Sequence, residues 1–76
     1  MNKARRALLK EIKNSLEELK SSIEDVHDDE ETAMDNLPES LQESDKYYTM
    51  EEACDAMSDA MDAIDEAIDS LESAIG

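Results

Sequence analysis

The chain has 76 residues, 22 of them acidic against seven basic, a net charge of −15 and one cysteine. One domain is the upper limit, and a core of this size supplies no more than about 3–5 kcal/mol unaided. A lone Cys54 excludes an internal disulfide, no Cys/His cluster has zinc spacing, and the charge balance excludes direct binding to nucleic acid or an anionic membrane, which carry the same sign.

The remaining way to bury apolar surface is association, so a homodimer is expected, and the electrostatic complement of the chain is a basic protein. No apolar run approaches the ~18 residues of a membrane helix, and Met1–Arg6 opens no signal-peptide segment. A soluble, reduced, cytoplasmic protein is the expectation.

In the first segment Leu9, Leu16 and Ile23 lie seven apart, as do Ile12, Leu19, Val26 and Ala33. This a/d heptad predicts one long helix over residues 3 to 35, with fraying near Asp28-Asp29-Glu30-Glu31, where Glu30 interrupts the seam. Leu37-Pro38 ends it, because proline disfavours helical geometry before it and lacks the N–H that would continue the ladder. Residues 36 to 48 read as a connection with a short helical turn, its Leu41, Tyr47 and Tyr48 covering the end of the helix pair.

Thr49-Met50-Glu51-Glu52 fits a capping box, which starts a second helix over residues 50 to 75. Its a positions are Met50, Met57, Ile64 and Leu71, its d positions Ala53, Ala60, Ala67 and Ala74, and Cys54, Met61, Ile68 and Ile75 widen the stripe at e. The fold class is therefore all-α: an antiparallel helical hairpin that pairs with a copy as a four-helix bundle or coiled coil. Leu9, Ile12, Leu16, Leu19, Ile23 and Val26 from the first helix, with Met57, Met61, Ile64, Ile68 and Leu71 from the second, are the expected core and self-association residues. Matching the inner ends pairs residue i with about 85 minus i, which brings the basic start of helix one beside Asp62, Asp65, Asp69 and Glu72.

Charge is uneven along the chain: +3 over residues 1–20, −9 over 21–46 and −9 over 47–76. Nine acids between Glu51 and Glu72 span about 33 Å of helix, one per ~3.6 Å, against ~3.4 Å per charge along a DNA strand. This density permits mimicry of a nucleic acid by Asp28, Asp29, Glu30, Glu31, Glu51, Glu52, Asp55, Asp59 and Asp62 as phosphate surrogates. The plainer alternative is a solvated, solubilising helix back.

Neither face carries recognisable catalysis, and no metal or cofactor is expected. Glu24-x-x-His27 has the spacing of di-iron carboxylate bundles, but the second helix turns only Met, Ala and Ile inward and His27 reads as an exposed side chain beside the seam. Asp25 to Asp35 lacks the glycine that a calcium loop needs at its sixth position. Cys54 reads as a packing residue.

The run Asn36-Leu-Pro-Glu-Ser-Leu-Gln-Glu-Ser44, followed by Met50-Glu-Glu-Ala and an Ala/Ile/Asp/Glu heptad helix, resembles short, uncharacterised acidic proteins of bacteriophages and prophages of gut Firmicutes. The likeness covers residues 34 to 75. It implies a phage setting, in which small acidic proteins block host defence nucleases, anti-CRISPR proteins among them. The functional expectation is a phage-type inhibitor acting on a basic host protein in the bacterial cytoplasm. The alternative is an assembly module whose apolar stripe is the working surface.

Overall fold

The computed structural model describes residues 1–76 as two α-helices, α1 (Lys3–Asp35) and α2 (Asp45–Ile75), joined by a connection with a 3-10 turn at Glu39–Leu41. The helices pack side by side as an antiparallel hairpin 59 Å long and 15 by 11 Å across.

α1 has the predicted bounds. Asn2, in extended geometry, accepts from the Arg5 N–H at 2.8 Å and so caps the first turn. With no Gly or Pro between residues 3 and 35, nothing breaks the ladder, and the helix runs unbroken through Asp28–Glu31. Glu30 interrupts the seam without fraying the helix, because backbone hydrogen bonds do not require an apolar side chain. Beyond Asp35 the Asn36 N–H reaches Thr32 and the Leu37 N–H reaches Met34, both at 3.1 Å, and Pro38 prevents a further turn.

α2 begins five residues earlier than the 50–75 span predicted from the Thr49 capping box. Ser44 is the N-cap, its oxygen accepting from the Tyr47 N–H at 3.4 Å, and Asp45 places a carboxylate in the first turn. Thr49 lies inside the helix, its hydroxyl donating to the Asp45 carbonyl at 2.9 Å. Asp45, Lys46, Tyr47 and Tyr48 all tolerate helical geometry, so the helix extends back to the Ser44 cap.

The expected register is realised: Lys13 meets Glu72, Lys20 meets Asp65 and His27 meets Ser58, and in each pair the two residue numbers add to 85. The face of α1 turned to α2 differs from the a/d seam. Leu9, Leu16 and Ile23 at a are partly covered, but Ile12, Leu19 and Val26 at d remain 50%, 57% and 57% exposed. Their place is taken by the e positions Lys13, Lys20, His27 and Met34. On α2 the covered stripe is likewise a and e, with Met57, Met61, Ile64, Ile68 and Leu71 buried or half-buried as predicted, and the d alanines exposed. The cause lies in α2. Its large apolar side chains stand at a and e while d offers only methyl groups, so burial is greatest when the a/e edge faces inward.

Only Met34, Cys54 and Ile68 are buried. Met34 closes the tip, its thioether sulfur accepting from the Cys54 thiol at 3.7 Å. Leu41 and Tyr48, expected as the covering, are exposed, and Tyr47 is half-buried with its ring edge-on to Tyr48.

Two stability predictions follow from the packing. Ser44→Ala costs about 1 kcal/mol and Thr49→Ala less than about 0.5 kcal/mol in denaturant titrations followed by circular dichroism. Met34→Ala costs about 2 kcal/mol, whereas Leu41→Ala stays within about 0.5 kcal/mol, the reverse of what a Leu41-covered tip requires.

Candidate functional site: an acidic interaction surface

The a/e contact divides the rod into two unlike faces. On one side the b and f positions of both helices form a shallow polar groove of about 360 Å³, lined among others by Lys20, Glu24, His27, Asp28, Asp62 and Asp65. On the other side an apolar groove of about 540 Å³ runs between Leu19, Ile23 and Val26 of α1 and Met57, Ala60 and Ile64 of α2.

Heptad phase assigns the nine predicted phosphate surrogates to different places. Asp28, Glu31, Glu51, Asp55 and Asp62 stand at b or f on the polar side, and all five are exposed. Asp29 stands at g, on the flank next to the apolar groove, and Glu52 and Asp59 stand at c, on the outer back of α2; all three are exposed. Glu30 is at a, half-buried in the seam. The nine therefore do not form one patch; five share the polar side. Glu24 and Asp65, absent from the predicted set, line the polar groove with Asp28 and Asp62.

Three rungs at heptad spacing cross this side. The Lys13 ammonium lies 3.1 Å from Glu72, and the Lys20 ammonium donates to Asp65 with its two carboxylate oxygens at 2.8 and 2.9 Å. Hydrogen bonding to Glu72 and to Asp65 holds both lysines above the ordinary lysine range. In the third rung His27 replaces lysine and Ser58 replaces the acid, at 3.4 Å. The spacings 13-20-27 and 58-65-72 carried this signal in the sequence. Lys3, Arg5, Arg6 and Lys10, expected beside α2 acids, make no ion pair within the chain.

His27 is not the exposed side chain expected. It is 19% exposed, with its Nδ1 3.4 Å from Asp28 and 3.6 Å from Glu31. Ligand atoms of His27, Asp28 and Glu31 come within 4.8 Å of one another, the grouping that could hold a metal ion, and Glu24 is not part of it. All three come from adjacent turns of one surface helix, and the facing positions of α2 offer Ser58 and Met61 where a di-iron bundle needs carboxylates. Burial first, and then the carboxylates of Glu30 and Glu31, push the Cys54 thiol above its ordinary range, so it is held as the poorly nucleophilic thiol. No helix is long and apolar enough to cross a membrane.

A raised lysine value in the folded state means that its stabilisation is complete below the ordinary value of 10.5 and is lost as pH rises through the folded value. The stability difference between the native chain and a Lys13→Met/Lys20→Met variant is therefore expected to be constant from pH 7 to 10 and to shrink above 10.5. Thermal melts at stepped pH measure it.

Comparison with protein-family models, curated proteins and solved structures finds no match.

Proposed function

We propose that the protein is a non-enzymatic, acidic interaction protein that occupies a basic, nucleic-acid-binding surface of a partner by presenting carboxylates in place of phosphates. One observation carries the reading: 20 of the 22 acids have no Lys or Arg partner within the chain, and most project into solvent along a straight rod. A net charge of −15 over 59 Å is one charge per about 4 Å, close to the ~3.4 Å of a single DNA strand. Such a rod competes for a groove that recognises line charge, since phosphate contacts dominate nucleic-acid affinity irrespective of sequence.

Within the nine surrogates, Asp28, Glu31, Glu51, Asp55 and Asp62 carry the interaction, because they share the polar side and none of them forms an ion pair with a lysine or arginine. Solvent-exposed carboxylates of this kind bind through long-range attraction, which salt screens over about 8 Å at physiological strength. The resemblance of residues 34 to 75 to phage proteins supports a phage-type inhibitor, anti-CRISPR-like or otherwise directed at host defence, acting in the bacterial cytoplasm on a nuclease or nucleic-acid-binding protein.

The test is capture from a Firmicutes lysate on immobilised protein at about 50 and 200 mM salt, alongside a variant carrying Asp28→Asn, Glu31→Gln, Glu51→Gln, Asp55→Asn and Asp62→Asn. Captured proteins should be basic, released by duplex DNA, held at least about tenfold less at the higher salt, and lost by the variant although it stays helical. Capture indifferent to salt and to the five substitutions would overturn the proposal.

A further inference from the structure

The apolar side of the hairpin is unfinished. Leu8, Ile12, Leu19 and Val26 are each at least half exposed along α1, and the groove beside them is lined almost wholly by aliphatic and Met side chains. The chain exposes 5549 Å², whereas a compact monomer of 8.5 kDa exposes about 4,650 Å². The excess of about 900 Å² is close to the ~800 Å² that each partner buries in a standard interface.

We infer that a second copy of the chain covers this face, laid antiparallel with the two α1 helices in contact and the twofold axis at Leu19. α1 runs from Lys3 to Asp35, so Leu19 is its middle residue. The exposed stripe Arg5, Ile12, Leu19, Val26, Ala33 is symmetric about that point, so reversing one copy sets Ile12 against the partner's Val26, Arg5 against the partner's Ala33, and Leu19 against itself. On α2 the same face carries only alanines at d, which leave room for close approach.

Charge selects this orientation. Arg5, the base that stands on the exposed d stripe, has no partner within the chain, and in the antiparallel pair it lies toward Asp29 and Glu30 of the other copy, the acids that flank that stripe at g and a. A parallel pair stacks those acids on one another and the bases likewise. The pairing also doubles the net charge over nearly the same length, to one per about 2 Å against ~1.7 Å for duplex DNA. The inference does not rest on the proposed function: oligomeric state reads one, salt-dependent capture the other.

Sedimentation equilibrium at about 100 µM should give twice the monomer mass, and Leu19→Glu should halve it. Register is read by disulfide formation in a Cys54→Ala background. Leu19→Cys should couple to itself, Ile12→Cys should not, and a mixture of Ile12→Cys with Val26→Cys should couple. A native chain that sediments as a monomer would overturn the inference, as would self-coupling at all three positions, the mark of a parallel pair. Association unaffected by Leu19→Glu would overturn it as well.

Discussion

Two lysines and a histidine, one heptad apart on α1, stand opposite Glu72, Asp65 and Ser58 of α2 where this acidic chain folds back on itself. α2 has no base beyond Lys46, and the second half of α1 is nearly as acidic, so most ways of setting the helices together place carboxylate against carboxylate. The observed register brings Lys13 to Glu72 and Lys20 to Asp65 and so gives two acids of α2 a cation. Such solvent-screened pairs contribute too little to hold a hairpin. A slip of one heptad toward the start of α1 would set Arg6 against Glu72 and Lys13 against Asp65, so the pairs fit the register that the short connection sets.

The ladder fits the rotation of α1 that the large a and e residues of α2 set. Lysine stems lie along the seam and their ammonium groups reach past it to the b positions of α2, an arrangement open to long side chains with charged ends. Ile12, Leu19 and Val26 are thereby turned out, and the monomer keeps only three buried residues. A rod with one anionic side and one aliphatic side results. The anionic side is the surface proposed for a basic partner, and the aliphatic side is one that water covers poorly.

Much of this was legible in the residues. The length of α1, the stop at Pro38, the antiparallel pairing and its register all follow from local rules about heptads, proline and short connections. The start of α2 was misplaced because Thr49-x-x-Glu52 and Ser44 both satisfy capping chemistry, and the choice depends on whether residues 45–48 join the helix, which propensity decides only weakly. The seam of α1 was misplaced because apolar character was taken as the mark of an inward position. Lysine at e is inward here, and that depends on a partner helix whose own large residues stand at a and e. Met34 went unrecognised for the same reason, since it sits one residue after the d position held by Ala33. Among the acids, density was plain, but the division into a polar side, a flank and a seam required the rotation of both helices.

The rotation and register are thus the central physical claim, and isotope-filtered NMR on the native chain addresses them most directly. Intramolecular cross-peaks should join the Lys20 side chain to Asp65, the Lys13 side chain to Glu72 and the Met34 methyl to the Cys54 β-protons. Intramolecular cross-peaks from the Ile12, Leu19 and Val26 methyls to Met57, Ile64 and Leu71, with none from Lys20 to Asp65, would contradict the account.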